Sequence, residues 1–184
     1  MCEGLFFAFR DYCKYNNHKF KAVPIYSSST MSLGTTDTLN KIINSFKPTY
    51  IILALGSNEL FIKDIKKNRD KYVKSIIQKI GKRKYIWIGP PNWKKDTGIN
   101  DMIASNVPRN QFFLSRDLKF QRISDGAHPT RASSRDWADT IATWVMKKSC
   151  YPILLNKPPA DFQKKVEKPK TLSKTTVKHK HKTK

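Results

Sequence analysis

The feature that most constrains this chain is an unbroken apolar run, Tyr50-Ile-Ile-Leu-Ala-Leu55, that halts at Gly56-Ser57-Asn58. A strand with water on one face alternates apolar and polar residues. A run without alternation reads as a strand covered on both faces, the pattern of parallel sheets. Tyr85-Ile-Trp-Ile88 repeats the pattern and ends at Gly89-Pro90-Pro91. Between the two, Tyr72, Val73, Ile76, Ile77 and Ile80 recur at helical spacing and predict a helix over 65–80.

The same reading places further helices at Glu3 to about Asn17, at Leu39 to Phe46 (capped by Asp37 and stopped by Pro48), at Ile99 to about Ser105, and at Arg131 to about Lys148. It places strands at Lys21–Tyr26 and Gln111–Leu114, and a Ser/Thr/Gly loop over Ser27–Thr36. Strand-loop-helix alternation implies right-handed crossovers, hence an α/β fold: a three-layer α/β/α sandwich around a mostly parallel, flavodoxin-like sheet. Ligands of such sheets bind at the carboxyl ends of strands. Here those ends are Ser27–Gly34, Gly56–Glu59 and Gly89–Gly98. The chain opens on a helix, so a first strand is expected to be missing ahead of Met1.

Residues 1–150 are expected to form the folded domain and 151–184 a basic, disordered tail. The tail from Lys157 holds ten lysines against two acids, so of the net +22 about +14 stays with residues 1–156. Such charge suits anionic partners, nucleic acid or acidic polymers, or simply a solvated surface. Three cysteines and four histidines fall at no metal-ligand spacing, so no metal is expected. No stretch approaches the ~18 apolar residues that span a bilayer, and the start lacks the features of a signal peptide.

Three short motifs carry chemistry. In Asp125-Gly-Ala-His128-Pro-Thr130 the carboxylate can turn back onto the imidazole and fix its tautomer, as a general base requires. The plain alternative is a capped entrance to the last helix. In Gly56-Ser57-Asn58-Glu59 the Asn58 amide can donate to a developing oxyanion, while Gly56 permits a sharp turn and leaves space for substrate. The plain alternative is an ordinary turn. In Ser28-Ser-Thr-Met-Ser-Leu-Gly34 the Gly34 N–H is a possible second oxyanion donor. Asn92 and Trp93, in the loop after the second apolar run, are candidate cleft residues, Trp93 for stacking a sugar ring or covering an acyl group. Glu59 and Asp64 are expected to favour the N-terminal end of the helix that follows them. Trp137 and Trp144 read as core.

Gly-x-Asn after a central strand and Asp-x-x-His before the last helix resemble blocks III and V of the SGNH/GDSL hydrolases. In bacterial members the nucleophile motif reads Gly-Asp-Ser-Met-x-Glu-Gly-Leu, similar to Met1-Cys-Glu-Gly-Leu here, and Trp87-Ile-Gly-Pro-Pro-Asn-Trp-Lys94 resembles a further recurring stretch. The resemblance covers residues 1–148. It implies a serine esterase or acylesterase acting on a small ester or an O-acylated glycan without a cofactor. His128 would be the base, Asp125 its orienter, and Asn58 and Gly34 the oxyanion donors. It also implies that the nucleophilic serine lies just before Met1, so the 184 residues alone are expected to hydrolyse esters negligibly. Neither Ser57 nor Ser27–Ser29 replaces that serine, since no helix is expected directly after the latter. Export from the cytoplasm is a further implication of the resemblance. The competing readings are a non-catalytic pseudo-hydrolase that holds anionic polymers through its basic cleft and tail, and a nucleic-acid-binding protein. No nucleic-acid motif supports the last.

Overall fold

A computed structural model of the protein describes residues 3–162. The apolar runs become β1 (Tyr50–Ala54) and β2 (Lys84–Ile88), joined by a two-residue β3 (Phe112–Phe113). All pair in parallel, in the order β1-β2-β3, with Ile52 beside Ile86 and Trp87 beside Phe112. The described residues form six α-helices: α1 (Glu3–Tyr15), α2 (Thr30–Thr35), α3 (Thr38–Phe46), α4 (Ile65–Ile80), α5 (Ile99–Ala104) and α6 (Arg131–Lys148). The fold is thus mixed α/β around a three-stranded parallel sheet. No described helix is long and apolar enough to cross a membrane.

Successive strand side chains point in opposite directions, and here they enter two separate apolar clusters. Ile51, Leu53, Tyr85, Trp87 and Phe112 pack with Leu33 of α2, Leu39 and Ile43 of α3, Val73, Ile76 and Ile80 of α4, and Ile99 and Ile103 of α5. Tyr50, Ile52, Ala54, Ile86, Ile88 and Phe113 pack with Leu5 and Phe9 of α1 and with Trp137, Ile141 and Val145 of α6. Full burial of each large apolar side chain stabilises the fold by about 2 kcal/mol, so both clusters hold the sheet. Trp137 is core as expected, and Trp144 meets Phe113 edge-on at 5.5 Å. β2 is buried from Tyr85 to Ile88. β1, an edge among the described strands, is only half-buried along its length.

Three expectations need correction. Lys21–Tyr26 forms no strand. Residues with strand propensity become a strand only when a ladder takes their N–H and C=O groups, and β1 pairs with β2 alone while Pro24 offers no donor. Second, the Ser27–Thr36 segment is not a plain loop, since it contains α2. Ser29 caps that helix by accepting from Ser32 N at 3.1 Å, while Ser32 Oγ accepts from Ser29 N at 2.9 Å, a reciprocal capping box. A helix N-terminus therefore does follow Ser29 directly, although the Ser29 hydroxyl is engaged in that cap.

The third concerns where packing stops. Leu155 is fully buried in the cluster of α1 and α6, Asn16 and Asn156 exchange hydrogen bonds at 2.8 and 2.9 Å, and Lys157 pairs with Asp139. The folded part thus runs past residue 150, because Ile153 and Leu155 supply apolar area to α1 and α6. The rest of the expected tail, from residue 163, lies outside the described residues.

Candidate active site

His128 sits on a tight hairpin just ahead of α6. Thr130 N donates to Gln121 O at 2.8 Å and Ile123 N to His128 O at 2.9 Å, with Arg122 and Pro129 bridged in antiparallel fashion. At the tip, Gly126 takes φ 67°, a left-handed conformation that glycine adopts without strain. Asp125 organises this tip. Its Oδ1 accepts Ala127 N at 2.8 Å and His128 N at 2.9 Å, while Oδ2 meets His128 Nδ1 at 2.5 Å. A carboxylate on Nδ1 fixes the proton there and turns the Nε2 lone pair outward. Nε2 makes no hydrogen bond to the described residues, and the His128 side chain is half exposed. The helix cap itself is Thr130, which accepts from Ser133 N at 3.2 Å. Asp125 and His128 are therefore free of capping duty.

At the end of β1 the chain turns at Gly56 into a 3-10 turn, Ser57–Glu59. Gly56 takes φ 122°, which only glycine tolerates readily, and a Cβ there would press on Ile99, Pro90 and Ile103. The glycine serves the turn as expected. It is buried and faces core, so it does not line a cleft. Asn58 is exposed and donates one Nδ2 hydrogen to Ser28 O at 2.8 Å, which leaves its second N–H unused.

Glu59 departs from expectation. It is almost wholly buried, at 1% exposure, beneath α2 rather than at the start of α4. It accepts from Thr30 N at 2.9 Å, from the Thr30 hydroxyl, and from Arg69 Nε at 3.1 Å. A carboxylate under the first N–H of a helix satisfies a donor with no partner in the helix. The 3-10 turn that carries Asn58 is thereby locked to the loop that carries Ser28. Asp64 stands at the N-cap of α4 with φ 48° and makes no side-chain cap.

Gly34 is not brought to the site. It lies within α2 against α4, where a Cβ would strike the Tyr72 backbone, and its carbonyl accepts from Ser75 Oγ at 2.7 Å and Lys79 Nζ at 2.6 Å. Its absence of a side chain is explained by close helix–helix approach. A second oxyanion donor is thus not supplied by Gly34.

The loop after β2 links the two halves. Trp93 Nε1 reaches Ser57 O at 3.4 Å, joining this loop to the turn of Asn58. Asn92 accepts from Asn100 Nδ2 at 3.0 Å through its side chain. Its carbonyl, with that of Pro91, accepts from Arg122 Nη2 at 3.0 and 3.1 Å, while Arg122 Nη1 donates to Ala127 O beside His128. One guanidinium therefore clamps the His128 hairpin to the β2 loop, and the rigid planar fork of Arg suits three carbonyls. Burial lowers the Arg122 pKa below its ordinary value, and the nearby Asp125 charge opposes that shift. Sequence reasoning missed Arg122 and assigned Glu59 to the wrong helix, because their decisive partners, Pro91 and Asn92 for Arg122 and Thr30 for Glu59, lie about thirty residues away.

No protein-family model, no curated protein and no solved structure matches the chain. Two clefts, of about 470 and 920 Å³, open around Trp144 and Lys148, and neither is lined by Asn58, Asp125 or His128. Among the described residues no group of three or more His, Cys, Asp or Glu could hold a metal.

The Asp125 geometry has a pH signature. Its carboxyl is held at about 2, below the ordinary 3.8, first by the His128 N–H, then by the Ala127 N–H and the His128 ring. A depressed acid pKa adds stability above the unfolded value, which is lost as pH falls through the folded one. The tip of the hairpin should therefore hold above about pH 4 and loosen toward pH 2. Carboxyl-carbon NMR of Asp125 should show a midpoint near 2, with the Ala127 and His128 amides moving together. A midpoint at 3.8 or above would mean that these hydrogen bonds are absent in solution.

Proposed function

We propose that this chain carries the acid–base and oxyanion half of an SGNH/GDSL-type serine ester hydrolase, on a three-layer α/β/α sandwich with a flavodoxin-like sheet. The observation that carries the reading is the Asp125 carboxylate on His128 Nδ1 at 2.5 Å, with Nε2 turned outward. Asn58, linked to the same assembly through Ser57, Trp93 and Arg122, retains one free amide hydrogen for an oxyanion.

The chemistry follows from these groups once a serine stands at Nε2. His128 Nε2 takes the hydroxyl proton as Oγ bonds to the ester carbonyl carbon, and Asn58 donates to the carbonyl oxygen as it becomes negative. The imidazolium, stabilised by Asp125, then gives its proton to the departing alkoxide as the C–O bond breaks. Water attacks the acyl-serine with the same base, releasing the carboxylic acid and restoring the serine. The substrate class is a small ester or an O-acyl group on a glycan.

No serine among the described residues hydrogen-bonds His128 Nε2. As a second reading, the +22 net charge suits a non-catalytic module that holds anionic polymers. Turnover of p-nitrophenyl acetate by the chain extended before Met1 with a strand ending Gly-Asp-Ser separates the two. Asn58→Ala in that protein should lower kcat about 100-fold with little change in KM, the signature of a contact made in the transition state. An unchanged kcat would remove Asn58 from the mechanism.

A further inference from the structure

β3 pairs with β2 on one side only, which leaves its other edge open. Phe113 O accepts from Gly89 N at 2.9 Å, so Phe113 turns its main chain toward β2. Successive residues of a strand offer their N–H and C=O to opposite sides, hence the Phe112 C=O and the Leu114 N–H face the open edge. Neither meets a main-chain partner among the described residues. The protein begins this outer pairing one step earlier, where Cys150 N donates to Asn110 O at 3.0 Å. Beyond that step lies the larger cleft, of about 920 Å³. Asn100 and Ala104 of α5 wall it on one side of the sheet edge, Trp144 and Lys148 of α6 on the other. The smaller cleft carries it on from Phe113 and Trp144 along α6 to Lys147.

The charge of this slot is one-sided. Of the acids that border it, Asp101 pairs with Arg116 at 2.7 Å, and Asp139 holds Tyr12 and Lys157. Arg109, Lys147 and Lys148 are exposed on the same borders and meet no carboxylate among the described residues. An open strand edge calls for a main-chain partner. A slot walled by two helices admits one extended segment, not a second sheet edge flanked by helices of its own. Three free cations select acids.

We propose that this slot takes an extended acidic peptide of a partner protein, which adds as a further strand beside β3. Its main chain bonds the Phe112 C=O and the Leu114 N–H, its apolar side chains lie on Trp144 and the exposed Leu114, and its carboxylates meet Arg109, Lys147 and Lys148. Residues 163–184 of the chain do not suit the slot, since they carry nine lysines against Glu167 alone. A fatty carboxylate would match the charge and the apolar lining but leave both main-chain groups unpaired. Neither cleft is lined by Asn58, Asp125 or His128, so this binding is independent of the ester-hydrolase reading.

The test titrates the full chain with the end-blocked peptide Glu-Glu-Val-Thr-Val-Thr-Val-Glu-Glu and follows the Phe112 and Leu114 amide signals by NMR. Two further peptides carry N-methyl groups on every valine or on every threonine, and laurate is the fourth probe. The parent peptide should shift both signals and slow hydrogen exchange at Leu114 about tenfold or more. Residues of an added strand turn their N–H groups alternately toward β3 and toward solvent. One N-methyl peptide should therefore bind like the parent and the other at least tenfold more weakly. Lys148→Glu should weaken the parent about tenfold. The three peptides have the same charge, so a difference between the two N-methyl forms separates strand addition from general attraction to a basic protein. Equal affinity of both N-methyl peptides, unmoved Phe112 and Leu114 signals, unchanged affinity in Lys148→Glu, or tighter binding of laurate at the same amides would each overturn the proposal.

Discussion

Replacing His128 by alanine is expected to abolish ester turnover, by about 10³-fold or more, in the chain extended with a Gly-Asp-Ser strand before Met1. Nucleophile and base act as a unit, so losing either costs almost as much as losing both. The effect should lie in kcat, because in this reading His128 exchanges protons with the reacting atoms and Asp125 acts through His128. Asp125→Asn should follow with a loss approaching 10⁴-fold in a fully formed site, since an amide leaves the imidazole in the wrong tautomer. The measurement is initial-rate turnover of p-nitrophenyl acetate, with circular dichroism to show that the variants fold. Turnover that persists in His128→Ala would place the chemistry elsewhere.

The second large effect concerns stability. Glu59 is 1% exposed and holds the Thr30 N–H, the Thr30 hydroxyl and Arg69 at once. Removing one partner of a buried pair leaves the other charge and its hydrogen-bond donors without compensation. Glu59→Ala should therefore cost about 3 kcal/mol, read from the urea midpoint at constant m-value. Glu59→Gln keeps the shape and one acceptor, so it should cost less. A cost under about 0.5 kcal/mol for the alanine variant, in the range of surface changes, would mean that α2 is not anchored this way. The same variant loosens Asn58, whose turn Glu59 ties to the Ser28 loop.

What the sequence discloses follows from the range of the forces involved. β1, β2, α4 and α6 were legible because apolar runs and helical stripes are local patterns that burial itself imposes. Asp125 and His128 were legible because their contact spans three residues. α2 was not, since Thr, Ser and Gly make up four of its six residues, and its helix depends on Glu59 from another segment and on Gly34 fitting against Tyr72. The one local signal for it was Ser29-x-x-Ser32, a capping box with serine where Glu or Gln is usual. Lys21–Tyr26 misled for the converse reason, because strand propensity without a neighbouring ladder gives no strand. Gly34 was read as an oxyanion donor from its position in a loop, yet its glycine character is required by helix packing. Arg122 left no trace, as nothing in the sequence marks an arginine that will gather three carbonyls.

If the proposed function holds, Asp125, His128 and Asn58 serve a serine placed at His128 Nε2. The direct measurement compares two proteins, the chain extended before Met1 by a short apolar strand ending Gly-Asp-Ser and the same extension ending Gly-Asp-Ala. Only the serine protein should react with a fluorophosphonate probe, at the added serine, and His128→Ala should remove the labelling. Equal labelling of both proteins, no labelling of either, or labelling that survives in His128→Ala would contradict it.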